Sequence, residues 1–169
     1  MKYIGAVLLL AACAAIGFIR VRTLKRRRET LSMLAESLQM MRNELAARLV
    51  TIPSLLSFLA ERGHGELKSF FESMSISMDE LGECEFALIW ASSVRDTLVS
   101  LSEEERREIA ALGQVLGQSE IDEQLAAIGR CQIFMDRALE QLRGQYPQLC
   151  RLAVAIPAAA GLMLVIVLV

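Results

Sequence analysis

An all-α fold, an antiparallel six-helix bundle flanked by one membrane helix at each end, is predicted by three features of this sequence. Charge-free apolar runs occupy both ends, Ile4 to Ile19 and Leu152 to Val169. Between them leucine and methionine recur at three- and four-residue spacing, the signature of helices with one buried face. Proline, glycine and serine–glutamate signals divide that middle into helices, and no β-rich run interrupts it.

The first run, of 16 residues, is followed at once by Arg20, Arg22, Lys25, Arg26, Arg27 and Arg28, while only Lys2 and the α-amine precede it. As a helix the run is about 24 Å long. Tyr3 and snorkelling Arg20 and Arg22 make up the difference to a bilayer core. By the positive-inside rule the six basic residues set the topology and keep the following chain cytoplasmic. The cluster resembles a nuclear-import or nucleic-acid patch, but beside a span the stop-transfer reading outweighs that one. Leu10-Ala11-Ala12-Cys13 offers a lipidation alternative, in which cleavage before Cys13 leaves a lipid-anchored protein outside the cytosol. The apolar continuation Ala14–Ile19 and the arginines beyond oppose it.

No helix breaker separates the span from Leu24, Leu31, Leu34, Leu38, Met41, Leu45 and Leu49, so one helix continues to about Val50. Thr51-Ile52-Pro53 ends it, because the residue before proline avoids the helical region and proline suits the first turn of a new helix. A second helix, from Pro53 to about Arg62, carries Leu55, Leu56 and Leu59 up to the Gly63-His64-Gly65 break. A third, Glu66 to about Ser75, presents Leu67, Phe70, Phe71 and Met74. Ser77-Met78-Asp79-Glu80 reads as a capping box opening a fourth helix to about Leu101, with Phe86, Ile89, Trp90, Val94 and Leu98 inward. Ser102-Glu103-Glu104-Glu105 is a second capping box, and its glutamates complement the dipole of a fifth helix running to Leu116. Gly117 is the expected stop, and Ser119 the N-cap of the last and longest helix. There Ile121, Leu125, Ile128, Gln132, Met135, Leu139 and Leu142 follow a four–three alternation that only Gln132 breaks, so Gln132 sets register or faces a partner. The helix leads through Tyr146-Pro147 into the second run of 18 residues, the length of a membrane span, with a kink expected at Pro157. The resulting organisation is an N-terminal membrane helix and start of the basic collar at 1–22, an acidic helical bundle at 23–148, and a C-terminal membrane helix at 149–169. If both spans cross, both termini lie outside the cytosol.

Charge is distributed unevenly. Eight of the 18 basic residues lie outside 29–150, which leaves ten against twenty acidic residues there, a net charge of −10. A body of that sign argues against nucleic-acid binding and is repelled from anionic headgroups that attract the collar. Chemistry is sparse. There is no phosphate-binding loop, no dinucleotide-binding glycine motif and no nucleophile elbow. The cysteines, Cys13, Cys84, Cys131 and Cys150, form no metal-ligand spacing with the single His64, and they read as reduced, buried small side chains. Neither catalysis nor a cofactor is expected. A small pore former is a weak reading, since neither span has a polar stripe.

The corner Leu112-Gly113-Gln114-Val115-Leu116-Gly117-Gln118-Ser119, followed by Gln124, resembles the stage III sporulation protein AB family, as does the overall plan. That plan is a short first span with basic residues after it, Thr51-x-Pro53 ahead of a leucine helix, and an apolar Leu/Ile/Val-rich C-terminus. The resemblance covers essentially the whole chain. Its last span departs from the pattern, with Cys150-Arg151-Leu152 and Pro157 where a lysine-rich approach and a Leu-Gly start are expected. The resemblance implies a cell-membrane component of the channel between mother cell and forespore. Its cytoplasmic domain would resemble that of the type II secretion inner-membrane platform protein, a six-helix bundle. By the same resemblance its partner is a secretion-type ATPase, stage III sporulation protein AA, beside other channel components and further copies of itself. The expected contact surfaces are the turns that include Gly63, His64, Gly113, Gly117 and Ser119, and the acidic turn Glu103, Glu104 and Glu105.

Overall fold

The computed structural model describes the backbone of residues 2–47, 50–78, 86–116 and 118–168, and side chains within these except at 2–14, 78, 146–150, 152–154, 156–158 and 160–168. Six helices follow in order: α1 Lys2–Ala46, α2 Ile52–Arg62, α3 Gly65–Met78, α4 Phe86–Thr97, α5 Glu103–Leu112 and α6 Ile121–Leu168. The described residues contain no strand, so the fold is all-α. Among the described residues no helix is long and apolar enough to cross a membrane. The side chains of the two runs read as spans, 4–19 and 152–169, lie mostly outside those residues.

The chain divides into two compact units, Glu29–Leu139, and Met1–Arg28 with Glu140–Val169. The first of these is the helical body. Its core is built from the stripes expected of it: Leu31, Leu34, Leu38, Met41 and Leu45 of α1, and Leu55, Leu56 and Leu59 of α2, are buried. So are Leu67, Phe70, Phe71 and Met74 of α3. Each large side chain taken fully out of water stabilises the fold by about 1.5–3 kcal/mol, which is why stripe spacing dominates local propensity here. α2 opens as proline dictates, with Thr51 extended ahead of Pro53. Gly65 holds φ at 59°, the left-handed conformation that lets the chain reverse between α2 and α3.

Trp90 is the largest buried side chain. Phe70 meets its face edge-on with ring centres 4.9 Å apart, Phe86 lies at 5.7 Å, and its Nε1–H donates to the Ile109 carbonyl at 2.7 Å. That bond ties α4 to α5 and satisfies the one polar atom of a buried indole. Gly113 packs against the same ring: a Cβ there would fall 2.4 Å from Trp90 Cδ1.

Four local expectations need correction. α3 continues to Met78 rather than ending near Ser75, so Ser77 lies inside it; Asp79 and Glu80, the rest of the expected capping box, lie with 81–85 outside the described residues. Packing overrides the local signal, because Met74 is fully buried and Ser73 and Ser75 bond to Ser93 and Ser57 on the flanking helices. α5 ends at Leu112 rather than Leu116. Gly113, Gln114 and Val115 donate to carbonyls three residues back, a tightened turn set by the fit of Gly113 under Trp90. α6 begins at Ile121, where Gln124 N–H donates to the Glu120 carbonyl, so Ser119 is not its N-cap. Finally, the inward face of α6 is rotated at its start: Gln124, Ala127 and Cys131 are buried, whereas Leu125 and Gln132 are only half-buried. Ile128 of the expected seam is buried between them, and the seam continues through Met135, Leu139 and Leu142. Gln132 bonds across to α1, donating to Gln39 Oε1 at 2.7 Å. Early residues of α1 group with late residues of α6, and Gln39 meets Gln132, the order that an antiparallel pair produces.

Cys131 is a buried free thiol, pushed up to about 12 from an ordinary thiol value, by burial first and by the negative charge of Glu108 second. The unfolded thiol ionises near 9.0 and the folded one near 12, so stability declines as pH rises through that window.

Two outcomes follow from this packing. Gly113→Ala forces a methyl group into Trp90 and should destabilise the body by about 1–3 kcal/mol, read as a lower urea midpoint. In a variant retaining only Cys131, iodoacetamide at pH 8 should label the thiol after denaturation and hardly at all before it; equal labelling would show that the site is open.

Candidate functional site

α5 carries the acidic turn, and its geometry follows from the capping box. Ser102 Oγ accepts from Glu105 N–H at 3.3 Å, and Glu105 Oε2 accepts from Ser102 N–H at 2.6 Å. This reciprocal pair draws Glu105 inward until it is 1% exposed, while Glu103 and Glu104 point to solvent. Three consecutive glutamates therefore have two different jobs. Glu105 closes the helix start and cannot offer a contact, which corrects the expectation of an acidic face from Glu103 to Glu105. Glu103 pairs with Arg106 one turn on.

Gly113 is likewise buried, beneath Trp90, and is removed from the accessible candidates. Ser119 is half-buried, and its carbonyl accepts from Gln124 Nε2 at 2.7 Å. Gly117 lies outside the described residues. At the other turn His64 is exposed and Gly63 half-buried, with the Gly63 N–H donating to the Leu59 carbonyl. A Cβ on Gly63 would stand only 3.0 Å from the Lys68 backbone, so the glycine serves the α2–α3 reversal. The candidates left on the surface are His64, Glu103 and Glu104, with Gly63 and Ser119 partly accessible.

Among the topology-determining residues, Arg20, Arg22, Lys25, Arg26 and Arg28 are exposed and Arg27 is half-buried. The residues just before them are apolar and equally open: Ile16, Phe18 and Ile19 are each more than half exposed. The Arg22 guanidinium lies 4.5 Å over the Phe18 ring, so the boundary between apolar and basic surface is joined by a cation–π contact.

Two features were not read from the sequence. One is a polar clasp. Glu66 Oε2 of α3 accepts from the Ser100 N–H at 3.1 Å and from its hydroxyl at 2.7 Å, and that hydroxyl lies 3.1 Å from Thr30 Oγ1 of α1. It joins α1, α3 and the α4–α5 connection over a sequence span that no local motif connects. The other is an open groove of about 250 Å³ between α4 and α5, floored by Ala91, Val94 and Ala110. Arg95, Arg106 and Arg107 stand around it with Glu103. The adjacent Arg106-Arg107 pair was its available signal, masked by the glutamates before it.

Nothing in these places assembles a nucleophile with a base. Among the described residues no group of three or more His, Cys, Asp or Glu side chains could hold a metal ion. The arrangement can hold helices together and present charged surfaces.

Truncating Glu105 should therefore differ from truncating its neighbours. Glu105→Ala is expected to cost about 1–3 kcal/mol by leaving the Ser102 amide unpaired. Glu104→Ala should stay within about 0.5 kcal/mol. Urea denaturation of the two variants reads the contrast, and equal losses would refute the buried-cap geometry.

In comparison with known proteins, the family model described as stage III sporulation protein AB matches residues 2–169. No curated protein and no solved structure matches the chain.

Proposed function

We infer the function from a premise: the chain belongs to the stage III sporulation protein AB family, which implies a role in sporulation. The proposed role is a non-enzymatic platform in the cell membrane of the mother cell, part of the channel between mother cell and forespore. It would couple a cytosolic secretion-type ATPase, stage III sporulation protein AA, to the membrane assembly. The residues at 1–22 and 149–169 would be its two membrane helices, with the acidic bundle of 23–148 on the cytosolic side and both termini outside.

The observation that carries this reading is the exposed apolar surface of Ile16, Phe18 and Ile19 passing directly into exposed Arg20, Arg22, Lys25, Arg26 and Arg28. Open hydrophobic side chains are costly in water but favourable in lipid, and guanidinium groups next to them suit anionic headgroups, each contributing about 1 kcal/mol near such a surface. The acidic body supports the same orientation, since like charge keeps it off the headgroups. α1 and α6, each of which contributes residues to both compact units, are the proposed route for that coupling. Glu103 and Glu104 and the turn at His64 are the proposed contacts for the motor.

The reading is tested by co-purifying the full chain with the ATPase from detergent extracts. Wild type should retain the ATPase, and Glu103→Lys with Glu104→Lys should weaken retention about tenfold, the scale of rim charges that guide association. Retention unchanged by the double variant removes this face. Digestion of the body by protease added to intact cells would place it outside the cytosol and exclude the motor altogether.

A further inference from the structure

The α4–α5 groove lies in a body whose residues 29–150 carry a net charge of −10, yet its rim holds three guanidinium groups against one carboxylate. Glu103 answers Arg106, and Asp96 lies 3.4 Å from Arg95 in a pair that is mostly exposed. Arg107 is exposed and has no ion pair among the described residues. The Arg95–Asp96 pair is worth little at that exposure, so Arg95 and Arg107 are available to a better partner, while the Arg106 side chain is only 23% exposed and held by Glu103.

The shape of the groove narrows the class of ligand. On α5 the side chains at 103, 106, 107 and 110 fall at helical spacing and share a face. On α4 Ala91, Val94 and Arg95 do the same, and Leu88, one turn earlier on that face, is 65% exposed. The accessible floor is thus alanine, over a buried Val94, continued by an open leucine. Small residues between two helices allow a third to approach closely, at about 8–10 Å between axes. At about 250 Å³ and open to solvent, the groove is below the usual range of an enclosing small-molecule site, about 300–1,000 Å³. Nucleic acid would find no aromatic platform among the lining residues.

We infer that the groove between α4 and α5 is a docking site for an acidic amphipathic helix of a partner protein, its apolar stripe on Leu88, Ala91 and Ala110 and its carboxylates on Arg95 and Arg107, the two exposed arginines of the rim. The net negative charge of the body disfavours such a helix on its acidic surface, so the arginine rim selects the place on the body. This surface lies beside the glutamates proposed for the motor but has the opposite charge preference, and its occupant need not be the motor.

The test uses the full chain in non-ionic detergent with a fluorescein-labelled synthetic helix bearing leucine on one face and glutamate along its flanks. Fluorescence anisotropy should show saturable binding that weakens about tenfold, equivalent to about 1.4 kcal/mol, in Arg95→Glu with Arg107→Glu. Arg130→Glu, which alters an exposed arginine of α6 outside the groove, should bind as wild type does, and circular dichroism should show all variants folded. Equal binding of a lysine-for-glutamate helix, or binding unaffected by the double variant, overturns the inference. So does a double variant that loses binding to phosphatidylglycerol vesicles while the acidic helix fails to bind wild type, since the arginines would then serve lipid headgroups. None of these readouts involves the ATPase or the topology of the chain, so failure here leaves the platform reading standing.

Discussion

The burial of Trp90 is the constraint on which the body depends. An indole taken out of water needs a hydrogen-bond acceptor for its one N–H and flat neighbours for its faces. The Ile109 carbonyl supplies the first, and Phe70 and Phe86 contribute to the second. Meeting both demands brings α3, α4 and α5 together, and it leaves room only for glycine at position 113. The end of α5 at Leu112 follows, since the chain must tighten to pass the ring. So does the position of the groove, because one face of α4 holds Trp90 while the adjacent face carries Ala91 and Arg95.

Apolar burial alone would tolerate sliding and rotation of these helices. The polar contacts restrict it. The Glu66–Ser100–Thr30 clasp connects three parts of the chain, and the Gln39–Gln132 bond joins α1 to α6. Each loses its geometry if a helix moves by one residue along its axis. Such contacts add modestly to stability, about 0.5–1.5 kcal/mol each, and more to the uniqueness of the arrangement. That suits a protein proposed to pass movement along helices, where loose packing would absorb the motion.

Charge separates the molecule by function. The exposed basic collar adjoins exposed apolar side chains early in α1, and the acidic body carries an arginine-lined groove. Electrostatic selection of this kind acts mainly on orientation and encounter; family membership implies a role in sporulation.

Most helix stripes, the Pro53 and Gly63–Gly65 breaks and the capping box at Ser102 were readable in the sequence, because each depends on residues within a turn or two of one another. The acidic body and basic collar were equally plain, being sums over residue types. What lay beyond reach depended on distant partners. Glu103, Glu104 and Glu105 look alike in order, but only the reciprocal cap buries the third. The rotation of α6 that buries Gln124, Ala127 and Cys131 reflects the elements packed over its first turns, which outweigh a regular leucine alternation. Arg95 and Arg106 stand eleven residues apart and become neighbours only because the aromatic core sets α4 against α5. Local order determined the helices; long-range packing decided which of their faces met each other and which remained open to a partner.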